Sequence, residues 1–287
     1  MSYFSPYAYY QDATHGIAYY EAICAMDTQM KKDASVVVEK LKALIQKLFV
    51  QKRMMISFTA DTESYKKAVP TMQTFIETLP KGEVAQTAKI FELFKKNEGF
   101  TDASAIQYVA RSGNFVSHGY SYTGALRILK MILSYDYMWI HIRVKGGAYG
   151  CMCGFTGTGI SYFVSYRDPN LTKTLETYKN VLSYIDNFNA TEEEMTKYII
   201  GAVGTYDYPK SPATKGARAL SAYMNGQTDE TFKKEKAEII NTTEKDIKAL
   251  RPYIESIINQ NNICVIGNEK KVEEAKEIFK VTKMLLK

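Results

Sequence analysis

The sequence has few cysteines and few histidines for its length. Its 287 residues include four cysteines and three histidines. None of the histidines lies in an H-E-x-x-H or H-x-x-E-H motif, so the zinc site of the zincins and inverzincins is excluded in this chain. The cysteines lack the paired spacing of disulfide-rich secreted domains, which favours reduced, buried thiols and a cytoplasmic location. Cys151 and Cys153 have C-x-C spacing, but two ligands are too few for structural zinc.

Long apolar runs and blocks of like charge are also absent. No stretch of ~18 apolar residues could span a membrane, and the N-terminus has no signal-peptide pattern. The net charge of +6 comes from 37 basic and 31 acidic residues that are interspersed. This pattern is typical of a mixed surface and does not favour a nucleic-acid partner. The motifs G-x-S-x-G and Walker A do not occur, so neither a nucleophile elbow nor a P-loop is predicted.

The composition and the element order indicate one α+β domain. Hydrophobic residues make up 46% of the chain, enough for one substantial core. Strands and hairpins are interleaved with helices, which predicts a mainly antiparallel sheet with helices packed on one face. No Gly/Ser/Pro-rich linker divides the chain. We therefore predict a single domain over residues 1–287, with 1–50 as a helical lead-in and 51–287 as the α+β core.

Apolar periodicity and capping signals place the individual elements. Strands are predicted over 1–12, 54–60, 105–109, 115–122, 151–156, 160–166 and 262–267, with a turn at 112–114. Helices are predicted over 17–30, 34–50, 61–79 with a break or kink at Pro70, 123–143 and 269–284. Further helices are predicted to begin after Asp168-Pro169, Thr191, Ser211-Pro212 and Thr242 or Thr243.

The long helix predicted over 123–143 ends with an arginine on the side where apolar residues are expected. At ~100° per residue, one narrow strip is polar and a wide arc is apolar. The strip contains Arg127, Lys130, Ser134 and His141, and the arc contains Leu126, Leu129, Ile132, Leu133, Trp139 and Ile140. Arg143 falls near the middle of the arc. Because an unpaired buried charge is too costly, its guanidinium must be paired inside the protein or face a cleft.

The segment Arg143–Gly150 places a cation, a glycine pair and a phenol within eight residues. One interpretation is an arginine at a helix C-terminus, a glycine stop and a core tyrosine. The other is that guanidinium and phenol project into a cleft, where each donor contributes on the order of 3 kcal/mol to an oxyanion-like transition state. A phosphate loop is disfavoured because no helix N-terminus follows the glycines. The three histidines, His15, His118 and His141, are interpreted as surface or structural residues.

The sequence R-V-K-G-G-A-Y-G at Arg143–Gly150 resembles the C-terminal half of the presequence-protease-like metallopeptidases, relatives of insulin-degrading enzyme within the insulinase superfamily. Further stretches resemble that family in the same order along the chain: Gly16-Ile17-Ala18-Tyr19-Tyr20, Gln107-Tyr108-Val109-Ala110, Tyr137-Met138-Trp139 and Ser165-Tyr166-Arg167-Asp168-Pro169-Asn170. The similarity covers most of the chain.

The resemblance implies a zinc endopeptidase of unstructured peptides that is built from two halves. The N-terminal half carries H-x-x-E-H and binds zinc, and the C-terminal half closes over the peptide. An arginine and a tyrosine of the C-terminal half reach the zinc site, and these correspond to Arg143 and Tyr149. Gly146, Gly147 and Gly150 would form the tight substrate-binding turn.

The resemblance also implies the partners and cofactor of this chain. The expected partners are the peptide substrate and the N-terminal half of the same protein, with no nucleic acid and no membrane. Zinc is expected in the full-length enzyme and not in this fragment, which is therefore expected to be inactive alone. The alternative is an insulinase-like binding or scaffold domain without catalysis. An in-frame H-x-x-E-H well upstream of Met1 would favour the peptidase.

Overall fold

A computed structural model describes residues 1–83 and 91–285. The six strands in this part of the chain form one sheet in the order β3-β4-β2-β5-β1-β6. Three of its five pairings are antiparallel, and β1 pairs in parallel with both β5 and β6. The predicted α+β class with a mainly antiparallel sheet is confirmed. The strands are β1 Glu98–Asp102, β2 Gln107–Asn114, β3 Gly150–Phe155, β4 Ile160–Asp168, β5 Asn262–Asn268 and β6 Val281–Met284.

Twelve α-helices lie in the same described ranges. They are α1 Pro6–His15, α2 Ile17–Lys32, α3 Ala34–Leu48, α4 Thr62–Thr78, α5 Ala125–Ile132, α6 Thr172–Asp186, α7 Glu192–Tyr206, α8 Pro212–Met224, α9 Asp229–Ile240, α10 Glu244–Ala249, α11 Arg251–Asn259 and α12 Glu269–Glu274. Short 3₁₀ turns cover Gln51–Arg53, Val116–His118 and Lys276–Ile278. No helix in the described ranges is long and apolar enough to cross a bilayer.

The chain forms two compact units. The first contains the whole sheet and is built from Met1–Tyr9, Leu93–Tyr208 and the chain from Asp229 onwards. The second is helical and is built from Tyr10–Glu92 and Pro209–Thr228. The single domain, with a helical lead-in that ends at residue 50, stays a prediction. The boundaries between the two compact units lie at other positions in the sequence.

The core of the first unit lies between the sheet and the helices that pack on it. Leu126, Leu129 and Ile132 of α5 are fully buried, as is Phe163 of β4. Tyr178 of α6 is also fully buried, and its hydroxyl donates to the carbonyl oxygen of Val109 in β2 at 3.1 Å. This bond satisfies the phenol inside the core, so the tyrosine can fill the space between helix and sheet at little cost.

Helix-capping signals in the sequence predict several helix starts correctly. The Asp61 carboxylate accepts from the backbone N–H of Ser64, the Ser211 hydroxyl accepts from that of Thr214, and Thr191 and Thr243 both form capping boxes. Of the break or kink predicted at Pro70, the break is wrong, because α4 continues through Pro70 from Thr62 to Thr78, and the kink stays a prediction.

The predicted strand over 1–12 is wrong, because α1 occupies most of it. Ser5 caps this helix: its hydroxyl oxygen accepts from the backbone N–H of Ala8 at 3.2 Å, and Pro6 is the first helical residue. A serine before proline is a standard helix start. The predicted strand over 54–60 is also wrong, since these residues form no regular element.

The predicted turn at 112–114 lies within a strand. β2 runs unbroken from Gln107 to Asn114, so the two strands predicted over 105–109 and 115–122 are one strand followed by a 3₁₀ turn that includes His118. Gly113 has a packing role instead. A Cβ at Gly113 would lie 2.9 Å from the Cα of Ile257 in α11, so glycine is needed for close contact between strand and helix.

The helix predicted over 269–284 is correct only in its first part. α12 ends at Glu274, and Val281–Met284 forms β6 at the edge of the sheet. The backbone N–H of Lys280 donates to the carbonyl oxygen of Asn97 at 2.9 Å, where the pairing with β1 begins. Local periodicity cannot show this partner, because β1 lies about 180 residues earlier in the sequence.

Candidate functional site

The helix that leads to the site changes its geometry before it ends. α5 is followed by two π-helical segments, Leu133–Tyr137 and Trp139–Val144. In the second segment the backbone N–H of Lys145 donates to the carbonyl oxygen of Ile140 at 2.9 Å, an i to i+5 bond. π-helical turns are rare and occur frequently at functional sites. They contain more residues per turn than an α-helix. Every side chain after them therefore points in a different direction from the one that a regular α-helix would give it.

This rotation explains why Arg143 does not lie in an apolar arc. Its side chain is exposed, and its guanidinium carbon lies 4.0 Å from the centre of the Trp139 ring. Trp139 and Ile140 were predicted in the arc, and each is 39% exposed. The prediction was wrong at this end of the helix because a constant 100° step does not apply to wider turns. The guanidinium is held by cation–π contact with an indole and not by a buried partner.

Two backbone hydrogen bonds end the helix at the glycine turn, and each spans one residue more than its counterpart in a Schellman motif. The backbone N–H of Gly147 donates to the carbonyl oxygen of Arg143 at 3.0 Å, and that of Ala148 donates to Ile142 at 3.1 Å. This is a wider form of the Schellman ending, as expected after a π segment. Gly147 has φ +81°, and a Cβ at Gly146 would lie 2.4 Å from the Ile142 carbonyl oxygen. Position 150 has open space where a Cβ would lie, so neither steric contact nor a positive φ requires glycine there.

Tyr149 follows the glycine turn, and its side chain lies on the surface of the first unit. Its side chain is 63% exposed, so it is not a core tyrosine. Its backbone N–H donates to the carbonyl oxygen of Arg167 at 3.2 Å, which fixes the turn to the end of β4. The ring meets Tyr166 edge-on at 5.7 Å between centroids, and Tyr166 meets Tyr108 in the same way at 5.4 Å. These three aromatic residues form a group on the surface, which we call the tyrosine cluster.

The structure brings Arg143 and Tyr149 together. The guanidinium carbon of Arg143 lies 5.9 Å from the centre of the Tyr149 ring. Both groups are exposed, and within the described chain Arg143 forms no ion pair. A hydrogen-bonding fork and a phenol therefore face solvent beside each other and can both reach one ligand. Their roles in catalysis stay a prediction.

A second arginine belongs to the same surface and was not singled out from the sequence. Arg167 is exposed, and its guanidinium carbon lies 5.8 Å from the Tyr149 ring and 5.4 Å from the Tyr166 ring. Its backbone is left-handed, with φ +49°. Its place inside the S-Y-R-D-P-N stretch, between Tyr166 and Asp168, was the signal that could have identified it.

A buried carboxylate holds the glycine turn against the end of β4. Asp168 is fully buried, and it accepts from the backbone N–H of Asn170 at 2.8 Å and from the hydroxyl of Thr174 at 2.7 Å. The side-chain amide of Asn170 donates to the carbonyl oxygen of Gly146 at 2.7 Å. Asp168 was predicted to cap α6, which is wrong, since that helix begins at Thr172. The carboxylate organises the turn instead.

No group of three or more metal-ligating side chains lies within the described residues. His15, His118 and His141 are all exposed. The partial desolvation of the His141 ring lowers its pKa, and the nearby positive charge of Lys145 lowers it further. Burial raises the pKa of the Cys151 thiol to about 11 and that of Cys153 to about 12. Cys153 is buried beside the Ser134 hydroxyl at 3.6 Å, whereas Cys24 is exposed, contrary to the expectation of buried thiols.

Comparison with solved structures supports the fold. The peptidase M16 inactive domain from Pseudomonas fluorescens matches with a TM-score of 0.51 over 72% of this chain and 51% of its own, at 16% identity. Pitrilysin matches with a TM-score of 0.52 over 78% of this chain and 25% of its own, at 11% identity. At such low identities the likeness shows the fold alone, which is that of the M16 peptidases.

Sequence relatives narrow the family. Protein HypA of Clostridium perfringens is 39% identical over the whole of this chain, which spans 29% of that protein. The chloroplastic/mitochondrial presequence protease 1 of Arabidopsis thaliana is 28% identical over 94% of this chain, which covers 26% of that protein. The family model of the PreP C-terminal domain matches residues 97–269, a range that contains both Arg143 and Tyr149. The chain therefore belongs to the family of presequence-protease C-terminal domains.

Proposed function

We propose that this chain supplies Arg143 and Tyr149 to the zinc site of an endopeptidase that degrades unstructured peptides, with the zinc bound by a separate N-terminal half. The observation that supports this most directly is the pairing of two exposed donors, 5.9 Å from guanidinium carbon to ring centre, at a turn inside the family match. The described residues of this chain offer no cluster that could hold the metal itself.

The two side chains suit different parts of a peptide. The planar guanidinium of Arg143 presents several N–H donors in a fixed fork, so it can hold main-chain carbonyl oxygens and orient the peptide. The phenol of Tyr149 has one O–H donor, which can bond to the scissile carbonyl oxygen or to the adjacent main chain. A donor placed ~3 Å from the developing oxyanion contributes about 3 kcal/mol to the transition state.

The local structure prepares both groups before a peptide binds. Trp139 restricts Arg143 by stacking at 4.0 Å. The turn that presents Tyr149 is fixed by Asn170, which donates to the Asp168 carboxylate and to the Gly146 carbonyl oxygen. Such preorganisation lowers the entropy lost on binding. Zinc bound by the N-terminal half would supply a bound water of lowered pKa as the nucleophile.

The test is peptide cleavage by the chain alone and after addition of zinc and the N-terminal half of the same protein. We expect cleavage only in the combined sample. Tyr149→Phe should then lower kcat about 100-fold, because it removes the donor, with no change in the unfolding midpoint. Tyr135→Phe is the matched control, since Tyr135 is also 63% exposed and lies in the π-helical segment Leu133–Tyr137, outside the tyrosine cluster.

Three outcomes would contradict the proposal. Cleavage by the chain alone would show that it contains its own metal site. Wild-type turnover by Tyr149→Phe would remove the proposed role of the phenol. Peptide binding without cleavage in the combined sample would favour the alternative, a binding or scaffold domain that has no catalytic role.

A further inference from the structure

Two arginines share one aromatic ring on the surface of the first unit. The guanidinium carbons of Arg143 and Arg167 lie 5.9 Å and 5.8 Å from the centre of the Tyr149 ring. Arg143 also stacks on Trp139, and Arg167 also lies over Tyr166 at 5.4 Å. Stacking on rings leaves the N–H edge of a guanidinium open to a further partner.

No acidic side chain within the described residues neutralises either arginine. Neither guanidinium takes part in an ion pair or a side-chain hydrogen bond within residues 1–83 and 91–285. The carboxylate next in sequence, Asp168, is fully buried, and Asn170 and Thr174 occupy its oxygens. The surface beside Tyr149 therefore presents two positive charges that the fold itself leaves uncompensated.

The backbone of Arg167 adds an independent observation. Its φ of +49° is left-handed, which costs a non-glycine residue on the order of 1 kcal/mol. The carbonyl oxygen of Arg167 accepts from the N–H of Tyr149, and the buried Asp168 follows directly, so the surrounding bonds hold the strained residue in place. Strained residues cluster at ligand sites, and here the strained residue is an arginine with no ion pair in the described chain, beside the proposed substrate contact.

We propose that Arg167 binds a carboxylate of the peptide substrate and sets a preference for it next to the bond that Tyr149 contacts. This inference rests on the proposed function for the identity of the ligand as a peptide. The carboxylate belongs to an acidic side chain or to the free C-terminus, because both offer two oxygens to the guanidinium fork. A lysine or arginine of the peptide at the same position is repelled by Arg143 and Arg167 together.

The test measures binding to the chain alone, so it does not depend on zinc or cleavage. Trp139 is the only tryptophan of the chain and touches Arg143, so its fluorescence reports ligands at this surface, with calorimetry as an independent readout. The peptides form a matched set: one internal glutamate or glutamine, each with a free or amidated C-terminus. We expect the preferred carboxylate to tighten Kd about tenfold, less at high salt, and the set shows which carboxylate is bound.

The variant Arg167→Asn removes the cation without adding strain, because asparagine tolerates a positive φ. We expect it to abolish the difference between carboxylate and amide peptides at an unchanged or higher unfolding midpoint, and Arg167→Lys to restore part of the difference. Lys179→Gln, an exposed cation of α6 outside the cluster, is the control for net charge and should preserve the preference.

Two results would overturn the inference. One is equal affinity of the wild-type chain for all four peptides. The other is an equal loss of affinity for all four in Arg167→Asn, which would indicate a general structural role. A carboxylate preference without cleavage in the combined sample would leave this inference standing and refute the proposed function, so the two failures can be distinguished.

Discussion

The guanidinium carbon of Arg143 lies 4.0 Å from the centre of the Trp139 ring, four residues earlier in the same π-helical segment. An exposed arginine otherwise samples many rotamers, and ordering it costs up to about 2 kcal/mol. Contact with the indole offsets part of this cost before a ligand arrives, by about 0.5–1 kcal/mol at an exposed site. The tryptophan is therefore a positioning residue for the arginine.

Replacing this tryptophan should weaken the site without unfolding the chain. In the combined cleavage assay, we expect Trp139→Leu to lower kcat/KM about two- to fivefold, which corresponds to the lost cation–π contact. Trp139 is 39% exposed, so the unfolding midpoint in urea should move little. Trp139→Tyr keeps an aromatic face and should remain closer to the wild type. Equal losses in both variants would show that the ring does not act through stacking.

The two ends of the glycine turn should respond differently to alanine. Gly147→Ala forces a Cβ onto a residue with φ +81°, and we expect it to reduce the free energy of unfolding by about 1–2 kcal/mol. Gly150→Ala is the matched control, because its Cβ would meet nothing within 4 Å, and its effect should stay within about 0.5 kcal/mol. Urea unfolding followed by circular dichroism measures both. Similar values for the two variants would contradict the assigned geometry.

Removal of the buried carboxylate at the end of β4 should be costly. Asp168→Ala leaves the N–H of Asn170 and the buried hydroxyl of Thr174 without their acceptor, so we expect a loss of about 2–4 kcal/mol in unfolding free energy. Asp168→Asn keeps one acceptor oxygen and should lose less. Asp102→Asn, at an exposed aspartate of β1, serves as the surface control. A neutral Asp168→Ala would show that the turn does not depend on this network.

The thiol of Cys151 should report the charge of Arg143 through its pKa. Burial raises that pKa to about 11, while the positive charge of Arg143 lowers it. Because only the thiolate reacts, alkylation of Cys151 at pH 8 should be slow and should accelerate about tenfold per pH unit below pH 11. Arg143→Gln should raise the pKa further and slow the reaction.

Mass spectrometry of iodoacetamide-treated protein resolves the individual cysteines. The exposed Cys24 should be modified first, and Cys153, with a pKa of about 12, last. Lys179→Gln should leave the rate at Cys151 unchanged. Faster alkylation of Cys151 in Arg143→Gln would show that the guanidinium does not act on this thiol as described.

Features with a local cause could be predicted from the sequence. The caps at Asp61, Thr191 and Ser211 depend on residues within three positions, and the hairpin of β3 and β4 surrounds its own turn. The segment Arg143–Gly150 was identified by its residue types and its family resemblance, and the structure places its guanidinium and phenol side by side.

Features that depend on distant partners could not be predicted. Gly113 was interpreted as a turn residue because its contact with Ile257 is invisible in the sequence. β6 continued a helical pattern and became a strand only because β1 offers it an edge. The exposure of Arg143 follows from π-helical turns, which no residue pattern near Trp139 signalled, and Arg167 joins the site only through the rings of Tyr149 and Tyr166.

The position of β1 in the sheet has a consequence for biosynthesis. Among the strands of residues 1–83 and 91–285, β1 pairs only with β5 and β6, and both follow residue 261. While the ribosome adds the intervening 160 or so residues, β2, β3 and β4 can already pair, but β1 has both edges open. The nascent chain must therefore keep β1 protected until β5 and β6 leave the exit tunnel, and a ribosome stalled before β5 would present an aggregation-prone intermediate.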